Sequence, residues 1–458
     1  MNRLVALAAL LAGCAVQPDY QRPAIDLPGA WKESAPHFAA DGRWWKVYRD
    51  PALDQLVEEA LTRNADLSLA VARVDEARAL LGIAQSQLAP QIDATLDRSR
   101  SLSSAATGTL PPNVARERND YRASLNVSYE IDLWGRLRTS AGAARADLLA
   151  SEAASDAVRL LLAAEVARSY FALRAFDERV ELTRRTVALR DDALRLQQKR
   201  SEGGLISGFE LRQLEAEAAS VRAQLPPLER DRELEEAALS VLLGRSPKAI
   251  YEGAIARASG GSQAPGAAVL PEGMPSELLL RRPDLVEAEQ RLIAANARVA
   301  SARAAFFPSI ALTGALGSES AALAALFSGP AGMWTLAASL AQPIFAGERL
   351  QAERAASEAR ERQALAQYQR AIQTAFREVR EALAAQARAR ESHEAESQRV
   401  KALTETLRLA RLRYEHGLAS QLDVLDAERG LLAAEALQIE ALRAQRAAVS
   451  DLYRALGG

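Results

Sequence analysis

Arg413-Tyr414-Glu415-His416-Gly417-Leu418-Ala419-Ser420-Gln421-Leu422-Asp423-Val424-Leu425-Asp426 reads as a helix that stops, turns and starts again. Gly417 suits the left-handed position that ends a helix, and Ser420 suits the cap that begins the next. About 213 residues earlier the chain does nearly the same with Arg200-Ser201-Glu202-Gly203-Gly204-Leu205-Ile206-Ser207-Gly208-Phe209-Glu210. Glycine falls on glycine (204 on 417), serine on serine (207 on 420) and acid on acid (210 on 423). Two echoed tips predict an internal duplication.

Working outward from the tips, each is fed by a long helical pattern. From Trp134-Gly135 to Glu202 the helical period is unbroken, about 100 Å of helix at 1.5 Å per residue. Val166, Leu173, Val180, Val187 and Leu194 recur every seventh residue, the seam of a left-handed coiled-coil packing. In the second half Glu348–His416 matches it, with Leu365, Tyr368, Ile372, Ala375, Val379 and Ala382 spaced three and four apart. Shorter helices return from the tips over Phe209–Leu243 and Ser420–Leu456, and Pro226-Pro227 should kink or break the first. Further helices are expected over Ala52–Ala89, where Leu53, Leu56, Val57, Ala60 and Leu61 form a buried face, and from Arg281 to Phe307. The short pairs stacked end to end along each long helix would make a rod about 100 Å long.

A different period appears between the helices. From Tyr121 to Asp132 the odd positions are Tyr, Ala, Leu, Val, Tyr and Ile, and the even ones are polar. This is a strand with one apolar and one polar face, and Tyr121 and Tyr129 bracket about 26 Å of it. Tilted by roughly 40°, that is near the height of a membrane barrel's apolar band, so Tyr121, Leu125, Val127 and Tyr129 are the candidate lipid-facing positions. Its partner is Ile92–Arg98, with a polar loop over 99–119 between them. The second half offers Ser309–Gly317 and Trp334–Ile344. A soluble sandwich strand would also alternate. Four strands are too few to close a barrel, which begins at about eight, and open edges cannot face lipid. A barrel would therefore need several chains, and a barrel continued by a helical tube is a channel.

The N-terminus has the layout of a secretory signal: Arg3, an apolar run Leu4–Leu11, then Ala12-Gly13-Cys14. Cys14 is the 1 cysteine of the chain, which excludes a disulfide framework and a cysteine metal site. Leu11-Ala12-Gly13-Cys14 resembles a bacterial lipobox, in which the cysteine is lipidated, with an ordinary cleaved signal as the alternative. Net charge is −2, no footprint for nucleic acid. The expected organisation is a signal peptide (1–13), a lipidated extended arm (14–50), a first repeat (51–247; hairpin 91–132, tip 203–207), a linker (248–274) and a second repeat (275–458; hairpin 309–344, tip 416–420).

Catalysis finds little support. His416, Ser420 and Asp423 could be drawn as a triad, but Gly417 interrupts their helix and no oxyanion-hole motif accompanies them. Gly203, Gly204 and Gly208 lack the lysine–serine of a phosphate loop, and 3 scattered histidines suggest no metal site. No enzyme activity, cofactor or metal is expected.

Over almost the whole mature chain the sequence resembles the TolC-like outer-membrane efflux proteins, in particular the lipoprotein branch serving resistance–nodulation–division pumps. The residues that carry the resemblance are Trp44-Trp45, Asp50-Pro51, Glu130 to Arg136, Arg282-Pro283-Asp284-Leu285, Phe306 to Ile310, and Arg413-Tyr414 through Asp426-Ala427. The resemblance implies a mainly α chain with a membrane β part, assembled as a homotrimer with a twelve-stranded barrel and a helical periplasmic tunnel. It implies as partners a periplasmic adaptor and an inner-membrane transporter, and as function the passive export of drugs or other toxic compounds. It also places a periplasmic gate at Glu210, Tyr414, Asp423 and Asp426, where three chains would gather a ring of carboxylates whose crowding raises their pKa values. Where some members carry an arginine two residues after the tip glycine, this chain has Ala419. The rivals are a type I secretion duct and a lipid-anchored periplasmic coiled-coil scaffold.

Overall fold

The computed structural model describes residues 20–24, 26, 42–107, 115–257 and 281–458. The helices are α1 (Pro51–Arg63), α2 (Ala65–Ser86), α3 (Arg136–Glu202), α4 (Gly208–Leu242), α5 (Pro247–Glu252), α6 (Pro283–Ala304), α7 (Arg349–Glu415) and α8 (Gln421–Leu456). The strands are β1 (Gln91–Leu102), β2 (Glu117–Ile131), β3 (Ser309–Ser320) and β4 (Gly332–Ala341). Both long helices, α3 and α7, hold 67 residues. The chain divides into two compact units, one built around Arg73–Glu152 and Glu287–Gln369, the other around the remaining helical segments.

The first unit contains a four-stranded antiparallel sheet in the order β1-β2-β3-β4, so a hairpin from each half joins through β2 and β3. The strands exceed the expected ones, taking in 99–102 and 117–119 from the expected polar loop together with Asp120, because those residues continue the ladder as Ser99↔Asp120 to Leu102↔Glu117. β4 starts two residues early and stops at Ala341 rather than Ile344, just before Gln342-Pro343; the missing proline N–H suits the end of a ladder. At Gly317 the strands come so close that a Cβ would lie 2.1 Å from the Ala123 carbonyl oxygen, so no side chain fits there. Two motifs hold the sheet to its helices. Asp132 caps α3 by accepting from the Leu137 and Arg138 amides at 3.0 and 2.8 Å. Trp134 donates from Nε1 to the Pro308 carbonyl at 2.8 Å and stacks on Phe307.

The second unit is built on a core in which Trp44, Tyr48, Leu53, Val166, Tyr170, Leu239 and Tyr453 are buried. Asp50 explains the Asp-Pro motif here. Its Oδ1 caps α1 at the Ala52 and Leu53 amides, while its Oδ2 accepts from the Tyr170 hydroxyl at 2.9 Å and from Arg174 at 3.3 Å. Arg282 likewise donates to Asp284, to Glu378 and to the Ala455 carbonyl, tying the start of α6 to the end of α8.

Three expectations are corrected. The helix expected over 52–89 is two helices, because Asn64 leaves the helical region (ψ 135°). Its side chain caps α2 at the Asp66 and Leu67 amides and donates to the Leu242 carbonyl at 2.9 Å. The end of α4 thus meets the start of α2 rather than the start of α1. Pro226 and Pro227 do not break α4, which runs through both. Each removes one bond to the carbonyl four residues back, while Leu214, Ala218, Val221 and Leu228 keep the helix packed on both sides of the pair. Finally, the expected linker begins with a helix, α5, capped by Ser246, and Ile255 is buried in the core, so an apolar anchor holds its first residues.

Candidate functional site: an apolar sheet face and paired helical tips

The register decides which side chains share each face of the sheet. Leu125 faces Ala94 on one neighbour and Leu316 on the other; Val127 faces Ile92 and Gly314. Continuing outward, Ile310, Gly314 and Leu316 face Leu340, Leu336 and Trp334. One face of all four strands is therefore apolar, and it is uncovered. Leu125 is 50% exposed, Leu316 65% and Trp334 77%. Val127 is exposed too, while Tyr121 and Tyr129, on the same face, are half-buried. The other face carries Asp93, Thr95, Asn126 and Thr313, and there Thr95, Ser124 and Asn126 hydrogen-bond to one another. Apolar outside and polar inside is the arrangement of a transmembrane β-structure. Among the described residues β1 and β4 each pair on one side only, leaving two open edges.

The two tips close alike. At the first, Gly204 (φ 71°) donates to the Ser201 carbonyl and Leu205 to that of Arg200; at the second, Gly417 (φ 73°) donates to Tyr414 and Leu418 to Arg413. These left-handed glycines complete the same helix-ending motif. Each following helix starts with a capping box. Ser207 donates from its amide and hydroxyl to Glu210 Oε2 at 2.8 and 3.1 Å, and Ser420 does so to Asp423 Oδ2 at 2.7 and 2.8 Å. The Ser420 hydroxyl, then its amide, hold the Asp423 carboxyl below its usual range. Within one chain, the cap thus acts opposite to the crowding expected of a ring.

Of the four gate candidates, Glu210, Asp423 and Asp426 are exposed and Tyr414 is half-buried. Tyr414 packs on Leu407, Val424 and Ala427, and its hydroxyl accepts from Arg200 of the other tip at 3.3 Å. The tips are therefore linked through Tyr414, and the Glu210 and Asp423 carboxylates are tied to their own helix starts. Large apolar side chains project beside them: Leu205, Phe209, Leu418 and Leu422 are all exposed. His416 is exposed at the turn. Cys14 lies outside the described residues, as do residues 1–13 and most of the arm.

The seam of α3 holds a network that the hydrophobic pattern hides. Val166, Leu173 and Val180 are buried as expected, but Val187 and Leu194 are only half-buried. The buried line moves to Thr183, Arg190 and Gln197, still seven apart. Arg190 lies between Glu217 of α4, at 3.8 Å, and Glu428 of α8. Glu217 also accepts from Arg429 at 2.7 Å, and Glu428 from Arg411 of α7 at 2.8 Å. A search for apolar repeats skips these positions; polar residues at heptad spacing were the available signal. Among the described residues no cluster could hold a metal ion, and no helix is long and apolar enough to cross a membrane.

Comparison with known proteins agrees with this geometry. The family model described as outer membrane efflux protein matches residues 56–245 and 274–458. The chain is 35% identical over 460 residues to the cation efflux system protein CusC of Escherichia coli K12, covering 99% of this chain and 98% of that one. It is 33% identical to the probable outer membrane lipoprotein SilC of Salmonella typhimurium, covering 98% and 96%. The crystal structure of the open state of the Neisseria gonorrhoeae MtrE outer membrane channel superposes with a TM-score of 0.83 at 32% identity, covering 97% of this chain and 98% of that one.

Proposed function

Because the chain belongs to the outer membrane efflux protein family, and so is an outer-membrane component of an efflux system, we propose that it is the passive exit duct of a tripartite pump. The observation that carries this reading is the uncovered apolar face on a four-stranded sheet with two open edges. Closing the edges takes further copies, since barrels begin at about eight strands. Three chains would give twelve strands, with β4 of one chain beside β1 of the next. Ile344 and Phe345, 91% and 90% exposed just after β4, supply apolar surface for such a neighbour. The tips meet a periplasmic adaptor through Leu205, Phe209, Leu418 and Leu422, and an inner-membrane resistance–nodulation–division transporter drives export. Glu210, Tyr414, Asp423 and Asp426 form the periplasmic gate, the Arg200–Tyr414 bond tying the two tips of each chain. The duct itself catalyses nothing.

Cys14 carries the lipid, as the name of SilC suggests for that relative. One acyl chain binds membranes only marginally, so several chains are needed for firm anchoring. Cys14→Ser abolishes palmitate labelling yet leaves the assembled protein in the outer membrane after carbonate extraction, migrating as a heat-modifiable trimer on a gel. Complete release into the periplasm would refute the barrel and favour a lipid-anchored rod.

A further inference from the structure

The apolar face of the sheet does not run to its end. Along β1 the outward positions Ile92, Ala94 and Leu96 are followed by Arg98 and Arg100. The register sets Tyr121 opposite Arg98 and Asn119 opposite Arg100, so the change lies toward the β1–β2 turn, at the end of the strands away from α2 and α3. The Arg98 guanidinium lies 5.7 Å from the centre of the Tyr121 ring. Arg100 is paired with Glu117. Arg98 meets no carboxylate among the described residues, so one positive charge remains on an outward face.

An arginine beside hydrocarbon is costly unless it reaches the interface and finds an anion. Tyrosine favours that same level, where an apolar ring meets water. Guanidinium offers planar paired donors that match phosphate, and stacking on the ring fixes its direction. The apolar band begins one outward position below, about 6.6 Å along the strand, at Leu96 and Ala123. A headgroup held at Arg98 would lay its acyl chains on Leu96 and Leu125, which are 76% and 50% exposed.

The geometry points to Arg98, stacked on Tyr121, as a docking site for the phosphorylated headgroup of a membrane lipid. This rests on the outer-membrane reading above. It adds to it a lipid of defined chemistry, bound once per chain around the barrel. A free phosphate would need the cation but not the apolar strip beneath it.

The test uses the full-length protein in detergent micelles, titrated with a bis-phosphorylated, hexa-acylated glucosamine disaccharide and with the same lipid stripped of phosphate, read by native mass spectrometry. The phosphorylated lipid binds more tightly. Arg98→Gln weakens it about fivefold, the share of one interfacial cation, and leaves the dephosphorylated lipid unchanged. Arg98→Lys retains part of the preference, and trimer migration on a gel checks folding of both variants. Equal binding of the two lipids to the native protein overturns the proposal while leaving the membrane reading intact. Binding of neither lipid also overturns the proposal, while the membrane reading is decided separately by carbonate extraction. Full displacement by millimolar inorganic phosphate would mark a free-anion site and also overturns the proposal.

Discussion

The sheet and the helical coil are patterned inside out with respect to each other. On the sheet, Leu125, Leu316 and Trp334 face outward and Thr95, Ser124 and Asn126 bond among themselves on the opposite face. On α3, Val166, Leu173 and Val180 face inward, and where the seam turns polar, Arg190 is enclosed by Glu217 and Glu428. The same chain hides apolar surface in one region and displays it in the other. The difference fits the surroundings proposed for each: water around the coil, hydrocarbon around the sheet.

The strongest challenge to the contrast is at the enclosed charges. Side chains of Arg190 and Glu217 are 7% and 9% exposed, so removing Glu217 leaves Arg190 in a poorly hydrated site with Glu428 as its remaining carboxylate. Glu217→Ala is expected to destabilise by about 3 kcal/mol, the lower end for a broken buried pair. Open cavities of about 420 Å³ border both residues and temper the cost. Urea unfolding followed by circular dichroism measures it, and a loss under 1 kcal/mol would mean that the seam is as wet as the surface.

Next comes the sheet. Leu125→Arg should cost about 2–4 kcal/mol in bilayers if this face meets lipid near the midplane. The control belongs at Asn126, which points to the polar face and is half-buried. Ser124 would be a poorer control: both residues hydrogen-bond to Thr95, but Ser124 is buried. Similar folding yields into lipid vesicles for Leu125→Arg and Asn126→Arg would erase the distinction between the faces.

The smallest effect is at the tips, where both patterns give way to exposed caps. Ser420→Ala removes the hydroxyl that Asp423 and its own amide share, worth about 1 kcal/mol to the start of α8. Because the folded pKa of Asp423 lies below its ordinary value, the contribution is fully present above that value, about pH 4. It is lost as pH falls through the lowered folded pKa. The protection factors of the amides following Ser420 should fall over that range in the native protein and change less in Ser420→Ala. No difference between the two would remove the cap's role.

Much of this was legible in the sequence because it depends on near neighbours. Alternation in Tyr121–Asp132 marked β2 and its apolar face, since a strand's side chains switch sides at every residue. Gly204 with Ser207, and Gly417 with Ser420, marked both tips, since a left-handed residue and an N-cap act within one turn of helix. Other features depend on partners far away in the chain. Asn64 splits a helix because the Leu242 carbonyl awaits its side chain, and Pro226-Pro227 stay helical because packing on either side outweighs two lost bonds. Arg190 is buried because Glu217 and Glu428 arrive from two other helices to neutralise it. Tyr414 meets Arg200 across 214 residues. Sequence periodicity reports the side on which a residue lies; only the folded chain brings the partner that makes a buried charge or a broken helix stable.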